Sequence, residues 1–282
     1  MATLYVSDLD GTLLAPDGRI SAHSLSIINS LISRGLPFTY ATARSMHSAR
    51  IVADGLRMEL PAIIYNGAML ADARDGRIIS SLRHSQETVA ALRDMIGQTD
   101  APLPFVYALT DGCESVRYVP DSLNGGMARY LASRPGDKRF ACAHSEDELF
   151  SGGVFYFTFI GARKELSALH QRALELDCVT LFQPELGRAD EYWLEIMPRG
   201  ATKAEAIARL KRQLGFERVV CFGDYPNDAS MFAIADEAYA VGNADPALKA
   251  LATGVIGDNA HDGVAMFLAE RFAGKLANEH ER

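Results

Sequence analysis

The sequence predicts an α/β fold, a parallel sheet covered by helices, with an α+β domain inserted into it. Short apolar runs rich in β-formers alternate with longer amphipathic stretches at both ends of the 282-residue chain. This alternation is typical of βαβ units and therefore of a parallel sheet. The middle of the chain breaks the rhythm, with alternating strand patterns separated by clusters of Pro, Gly and Asp. The hydrophobic content of 48% and charged content of 23% are those of a globular protein.

The first elements show how each one is predicted. Residues 4–6 form a buried apolar run and predict a strand. Ser21 is a suitable N-cap for a helix whose apolar residues recur every three or four positions until Gly35 ends it. The same reasoning predicts further N-terminal elements: strands at 37–41 and 61–65, a helix at 45–56 and a hairpin around Asp75-Gly76.

The C-terminal third resumes the βα alternation, and the middle carries the inserted domain. The predicted C-terminal elements are helices at 204–214, 227–234, 246–251 and 262–272, with strands at 218–222, 238–241 and 255–256. The clearest elements of the middle are helices at 87–96 and 163–176 and strands at 115–119 and 154–160. We therefore expect a core domain at 1–82 and 189–282 and an inserted α+β domain at 83–188.

The charge balance excludes some partners. The chain has 28 Lys and Arg against 36 Asp and Glu, a formal net charge of −8, whereas nucleic-acid binders usually carry a basic face. No apolar run approaches the roughly 20 residues that span a bilayer, and no signal peptide precedes Asp8. The four cysteines are far apart and are expected to be reduced and mostly buried. We expect a cytoplasmic protein without membrane or nucleic-acid partners; the oligomeric state is left open.

Two carboxylates follow the first strand directly. Asp8 and Asp10 are two residues apart, in Asp8-Leu9-Asp10-Gly11-Thr12, and in open α/β sheets ligands bind beyond the carboxyl ends of the strands. Adjacent negative charges repel each other, and Mg²⁺, which prefers carboxylate and phosphate oxygens, would relieve that repulsion.

Three more segments contribute reactive or charged side chains near the same edge of the predicted sheet. Gly223-Asp224-Tyr225-Pro226-Asn227-Asp228 follows an apolar strand and opens a helix, so Asp224 is a candidate third acidic ligand. Thr42 follows the second strand, where a hydroxyl is able to hold a phosphate oxygen. Lys203 precedes a helix and would bring an ammonium group to the same crevice. Taken alone, the Asp224 segment is equally explained as an ordinary capped helix, and Thr42 and Lys203 are better explained as solvated surface residues.

In combination and in this order, the four segments resemble the haloacid dehalogenase (HAD) superfamily of phosphatases. The resemblance implies a Rossmann-like parallel-sheet core with an inserted α+β cap, here similar to the type called C2B. Three shorter segments are similar to the Cof-type sugar-phosphatase branch: Asn66-Gly67-Ala68, Leu194-Glu195-Ile196 and Asn259-x-x-Asp262-Gly263-Val264-Ala265.

The resemblance also implies roles for single residues. Asp8 would be the nucleophile that forms an aspartyl-phosphate, and Asp10 the general acid and base. Mg²⁺ would be held by Asp8, the main-chain carbonyl of Asp10 and Asp224. The phosphate or the substrate would be bound by a further set of residues: Leu9, Thr42, Ala43, Arg44, Lys203 and Asn227. Asp228 would support this set and orient Lys203. For Arg44 a surface ion pair is the alternative.

The function implied is a Mg²⁺-dependent phosphatase of small phosphorylated metabolites, most simply sugar phosphates. The carboxylate at Asp10 favours hydrolysis of the acyl-phosphate. It does not exclude a phosphomutase, which returns the phosphate to the sugar. A non-catalytic sensor of phosphometabolites is a third hypothesis, against which the retention of Asp8, Asp10, Lys203 and Asp224 argues.

Overall fold

The computed structural model describes residues 2–185 and 187–280, with side chains up to residue 273. The chain divides into two compact units. The core unit comprises Met1–Ser80 and Thr202–Arg282, and the inserted unit comprises Ser81–Ala201.

The strands of both units are numbered in chain order: β1 (Thr3–Ser7), β2 (Phe38–Tyr40), β3 (Ala62–Ile64), β4 (Met69–Ala71), β5 (Ile78–Ser81), β6 (Phe105–Thr110), β7 (Cys113–Tyr118), β8 (Phe140–Cys142), β9 (Gly153–Ala162), β10 (Cys178–Pro184), β11 (Glu191–Pro198), β12 (Arg218–Gly223), β13 (Glu237–Ala240) and β14 (Gly254–Val255). The helices are α1 (Ala22–Ser33), α2 (Met46–Val52), α3 (Gln86–Gly97), α4 (Gly125–Ala132), α5 (Glu146–Leu149), α6 (Arg163–Ala173), α7 (Lys203–Leu214), α8 (Ala229–Ile234), α9 (Pro246–Lys249) and α10 (Gly263–His280).

The core unit contains the predicted parallel sheet. Its five strands lie in the order β14-β13-β12-β1-β2, and the four neighbouring pairs are parallel. Ser7, the last residue of β1, is aligned with Phe222 on one side and Tyr40 on the other. The residues that follow these three strands therefore emerge side by side at one edge of the sheet. The strand β3 continues this edge through a single parallel bridge between Ala41 and Ile63 and opens the small sheet β3-β4-β5.

Side-chain caps start the helices that lead away from this edge. The hydroxyls of Ser21, Ser45 and Thr202 accept hydrogen bonds from the backbone N–H three residues on, at 2.9, 3.2 and 3.1 Å. Each cap satisfies one of the N–H groups that have no partner within the helix. The predicted N-cap at Ser21 is confirmed.

The inserted unit is an α+β domain. Its six strands lie in the order β10-β11-β9-β6-β7-β8, antiparallel except for the parallel pair β7–β8. One face of this sheet buries Val106, Phe157, Phe159, Leu194 and Ile196 in a cluster that includes residues of α3 and α6.

The structure returns to the core unit later than expected. The predicted boundary at 188/189 lies before β11, whereas the structural boundary lies after Ala201. The reason is that Glu191–Pro198 pairs along its length with β9 and β10 of the inserted unit. The other boundary differs by only two residues, Ser80 against residue 82.

Smaller differences concern element lengths and cysteines. The helix α2 ends at Val52 rather than residue 56, and α10 extends beyond residue 272. The expectation of mostly buried cysteines is wrong: all four are free thiols, but Cys113 and Cys142 are exposed and Cys221 alone of the four is buried. Among the described residues, no helix is long and apolar enough to cross a membrane.

Candidate active site

The polar residues predicted from the sequence meet at the carboxyl edge of the core sheet. Asp8 follows β1, and its backbone N–H donates to the Phe222 carbonyl of β12 at 2.9 Å. Thr42 follows β2, and its N–H donates to the Ile63 carbonyl at 2.9 Å. Asp224 follows Gly223, the last residue of β12. Main-chain pairing therefore sets the positions of these three residues.

Lys203 joins two carboxylates in a buried ion triad. Its Nζ lies 2.6 Å from Asp8 Oδ1 and 2.7 Å from Asp228 Oδ1. The side chains are nearly inaccessible, with exposed fractions of 1% for Lys203, 8% for Asp8 and 0% for Asp228. Taking charges out of water is costly unless they are paired, and here one ammonium group compensates two carboxylates.

The triad has two carboxylates for one ammonium group, and the pKa values of Asp8 and Lys203 reflect this excess of negative charge. Burial raises the pKa of Asp8 well above its usual range; the Lys203 charge lowers it, and Asp228 and Asp224 raise it further. Burial alone would lower the pKa of Lys203, but the charges of Asp228 and Asp8 outweigh that effect and raise it. Lys203 is therefore charged at neutral pH, and further positive charge beside Asp8 would lower the pKa of that carboxyl.

Asp224 lies against the turn that carries Asp8 and Asp10. Its Oδ1 accepts a hydrogen bond from the Thr12 hydroxyl at 2.9 Å. Burial and the Asp228 charge raise the pKa of Asp224 to about 6. Gly11 lies so close that a Cβ at this position would be 2.2 Å from Asp224 Oδ2, and its φ is +75°. Only glycine meets both demands without strain.

Asp228 anchors the loop that carries Asp224. Its Oδ2 accepts hydrogen bonds from the backbone N–H groups of Asp224 at 3.0 Å and Tyr225 at 3.3 Å, while its Oδ1 accepts from Lys203. Both carboxylate oxygens are thus engaged in holding other parts of the site. The arrangement agrees with the supporting position expected for Asp228.

Asp10 is turned away from this triad toward Arg44. The Arg44 guanidinium donates two hydrogen bonds to the Asp10 carboxylate, at 2.7 Å from Nε and 2.6 Å from Nη2. The Asp10 side chain is 54% exposed and that of Arg44 30%. The surface ion pair considered for Arg44 is therefore present, and it involves the expected acid–base residue.

The other residues predicted to bind phosphate or substrate differ in how deeply they are buried. Thr42 is buried, and its hydroxyl accepts a hydrogen bond from the Arg44 N–H at 3.1 Å. Leu9 is buried in the turn after Asp8, Ala43 is exposed, and Asn227 is half-buried beside Asp228.

Two contributors to the site received no role from the sequence. Thr12 holds Asp224 through its hydroxyl. Asn243 donates from Nδ2 to the Gly11 carbonyl at 2.7 Å and thereby supports the catalytic turn from another loop. The available signal was positional, since Asn243 follows β13 shortly after that strand ends at the same edge of the sheet.

The donor set fits a hard divalent cation. Asp8, Asp224 and Asp228 each offer a carboxylate oxygen, and these atoms lie within 4.8 Å of one another. Oxygen ligands with a net negative charge are what Mg²⁺ prefers. The side chain of Asp10 is not part of this cluster; the ligand expected from that residue is its main-chain carbonyl.

Comparison with known proteins agrees with this fold and site. Residues 5–268 match the family of haloacid dehalogenase-like hydrolases. The chain belongs to this family, and the enzyme class that the fold and the site define is that of the HAD-type phosphatases. The resemblance found in the motifs is confirmed.

Individual relatives span almost the whole chain. The chain is 29% identical to the 5-amino-6-(5-phospho-D-ribitylamino)uracil phosphatase YwtE of Bacillus subtilis, covering 96% of this chain and 98% of the relative. It is 26% identical to the HMP-PP phosphatase of Serratia proteamaculans, covering 95% and 94%. Among solved structures, TM0651 from Thermotoga maritima has the same fold, with a TM-score of 0.73, 23% identity and coverage of 96% and 97%. The HAD subclass IIB sugar phosphatase BT4131 also shares it, with a TM-score of 0.71, 21% identity and coverage of 97% and 99%.

Proposed function

We propose that this protein is a Mg²⁺-dependent phosphatase that hydrolyses monoesters of small metabolites, sugar phosphates first among them, through an aspartyl-phosphate on Asp8. One observation carries the proposal. A buried carboxylate at the end of β1 lies 2.6 Å from a buried ammonium group and within 4.8 Å of two more carboxylates. The relatives named as phosphatases of phosphorylated small molecules support the same substrate class.

The metal ligands proposed are Asp8, Asp224 and the main-chain carbonyl of Asp10. Asp228 is left out because its two oxygens already accept hydrogen bonds from Lys203 and from two backbone N–H groups. When bound, Mg²⁺ supplies positive charge that lets the anionic Asp8 approach an anionic phosphate.

In the first step an Asp8 carboxylate oxygen attacks phosphorus. A bond forms between Asp8 and phosphorus, the bond from phosphorus to the ester oxygen breaks, and Asp10 gives its proton to the departing alkoxide. Lys203, charged and held beside Asp8, neutralises the phosphoryl oxygens as negative charge develops on them.

In the second step Asp10, now a carboxylate, takes a proton from water, and the water oxygen attacks phosphorus. The bond between phosphorus and Asp8 breaks, which releases inorganic phosphate and restores the Asp8 carboxylate. Arg44 donates two hydrogen bonds to the Asp10 carboxylate and thereby orients it. We assign the binding of phosphoryl oxygens to the Thr42 hydroxyl, the N–H groups of Leu9 and Ala43 and, on the loop before α8, Asn227.

The decisive experiment is phosphate release from a panel of sugar phosphates, with and without Mg²⁺, by the wild type and Asp8→Asn. We expect the variant to lose at least about a thousandfold in turnover with its fold intact, because the nucleophile is gone. Asp17→Asn, an exposed carboxylate that accepts a hydrogen bond from Arg19, is the control and should retain full activity. Wild-type turnover by Asp8→Asn would overturn the proposal.

The same assay separates the alternatives. Isomerised sugar phosphate without free phosphate would identify a phosphomutase. Binding without turnover would identify a sensor. Affinity for inorganic phosphate should also depend strongly on Mg²⁺, because the metal-free site is negatively charged; equal affinity without the metal would contradict this electrostatic account.

A further inference from the structure

A polar cavity lies in the core unit outside the catalytic residues. Its volume is about 190 Å³, and it is bounded by Tyr40 of β2, Arg50 of α2, the loop after α2 that contains Asp54 and Gly55, and the hairpin turn that contains Arg74. Neither the proposed nucleophile nor any proposed metal or phosphate ligand lines it.

Tyr40 contributes a hydroxyl that has no hydrogen-bond partner among the described residues and belongs to a residue that lines the cavity. The residue is 2% exposed, yet its hydroxyl makes no hydrogen bond to any residue in the described part of the chain. Burial raises the pKa of Tyr40 to about 12, so the hydroxyl is protonated at neutral pH and able to donate. A hydroxyl that faces a cavity without a protein partner is free to form a hydrogen bond with a ligand or with water there.

Arg50 contributes a cation without a counter-ion. Its guanidinium donates to the carbonyls of Asp75 at 3.2 Å and Arg74 at 3.4 Å. Across the described residues it has no carboxylate within 4.0 Å. Arg50 and Tyr40 both line this cavity, so the two donors face a common space.

The walls of the cavity are held in place from both sides. On the loop side, Asn29 Nδ2 donates to the Gly55 carbonyl at 2.9 Å, and Asn29 Oδ1 accepts from the Arg57 N–H at 2.8 Å. On the hairpin side, the Asp72 carboxylate accepts from the N–H and the guanidinium of Arg74 at 2.9 and 2.7 Å. A rigid, preformed pocket loses little conformational freedom when a ligand binds.

We propose that this cavity binds the carboxylate or phosphate group of a small molecule through the Tyr40 hydroxyl and the Arg50 guanidinium. A planar guanidinium matches both anions with two parallel hydrogen bonds, and a phenol adds a third donor. Asp54 also lines the cavity, so the part of the ligand nearest to it is expected to be uncharged, to donate hydrogen bonds or to be cationic. The site is separate from the catalytic one.

Nuclear magnetic resonance of protein labelled with ¹³C in the tyrosine rings tests this directly. The Tyr40 signal is identified as the one lost in Tyr40→Phe. Protein freed of metal on a chelating resin is titrated with inorganic phosphate in one arm and malonate in the other, at millimolar concentrations. We expect a saturable shift of the Tyr40 signal in at least one arm, and the arm that gives the tighter binding identifies which of the two anions the site prefers.

Two variants and a control complete the test. Arg50→Gln should weaken the binding reported by Tyr40 about tenfold or more, because a charged hydrogen-bond donor is lost, whereas Arg57→Gln, a nearby exposed arginine, should not. Tyr40→Phe should leave the thermal midpoint unchanged or higher, since the hydroxyl has no partner in the fold. A Tyr40 signal that fails to shift in both arms, or equal affinity in Arg50→Gln and the wild type, would overturn the proposal. A lower midpoint for Tyr40→Phe would overturn it as well, by showing a structural role.

Discussion

The two units of this protein bury different kinds of side chain. The core unit buries Asp8, Lys203 and Asp228, which carry charge. In the inserted unit, the buried polar residues that the structure describes are Thr88 and Thr158, both of which carry only a hydroxyl. Buried charge is costly unless it is paired, whereas buried apolar surface stabilises a fold directly. The core unit therefore concentrates fully buried charge at the candidate site, whereas the fully buried residues of the inserted unit serve packing.

Aromatic contacts in the inserted unit also differ from the charged contacts of the core unit. In the inserted unit, Tyr130 packs edge-on against Trp193 with ring centroids 5.2 Å apart, and it contacts Phe105 at 5.1 Å. Its hydroxyl lies 2.8 Å from that of Tyr107. The two hydroxyls of this cluster pair with each other and are uncharged, whereas Trp193 Nε1 is buried without a hydrogen-bond partner among the described residues.

The largest effect is expected from removing the cation of the core unit. Lys203→Met leaves Asp8 and Asp228 buried without their partner, so we expect a loss of about 3–5 kcal/mol in unfolding free energy together with loss of turnover. Lys211→Met is the control, because this lysine lies 3.7 Å from Asp236 at the surface and should cost no more than about 1 kcal/mol. The unfolding free energies of both variants are measured by denaturant unfolding. Equal values would contradict the view that the core unit depends on its buried ion pairs.

In the inserted unit, the largest loss of stability is expected from removing a buried apolar side chain. Phe157 is fully buried in its apolar cluster, and Phe157→Ala should cost about 3–5 kcal/mol because the cavity does not fully collapse. Leu174→Ala, at a residue that is 57% exposed, should cost far less. Amide hydrogen exchange should accelerate in β6 and β9 more than in β1 and β12; uniform acceleration would show that the two units unfold together.

A smaller effect is expected where the catalytic turn crowds Asp224. Gly11→Ala puts a methyl group into space occupied by Asp224, so Mg²⁺ affinity should fall by about tenfold or more, which corresponds to about 1.4 kcal/mol. Gly18→Ala is a matched control, since its φ of +78° is similar but nothing lies within 4 Å of its Cβ position. Calorimetric titration with Mg²⁺ distinguishes crowding from backbone strain; equal losses in the two variants would assign the effect to strain.

A further effect is a pH dependence in the inserted unit. Burial lowers the pKa of His84 to about 4 from its usual 6.5. The unfolded chain therefore binds a proton that the folded state does not bind between these values, so stability should fall as the pH drops from about 6.5 to 4. The contribution is about 1–3 kcal/mol. His84→Gln should flatten this part of the stability profile in unfolding experiments from pH 4 to 7; an unchanged profile would contradict the assignment.

Local signals predicted the core unit best. The cap at Ser21 acts within three residues, so the local sequence was sufficient to predict it. The strand-end positions of Asp8, Thr42 and Asp224 follow from apolar runs that stop one or two residues earlier. In the inserted unit, the alternation of apolar and polar residues predicted strands such as β9. It did not predict which unit β11 joins, because the sequence of one strand does not determine which strand it pairs with.

The sequence by itself determined which chemical groups stand at the ends of strands and that α1 begins after the cap at Ser21, because these depend on neighbouring residues. Only the tertiary structure decided that Lys203 bridges Asp8 and Asp228, that Asp10 pairs with Arg44 and that Asn243 supports Gly11. Asp8 and Lys203 are 195 residues apart in the chain. They meet because β1 pairs with β12 in the middle of the sheet, and because the buried charges on α7 and on the loop after β12 require each other as partners.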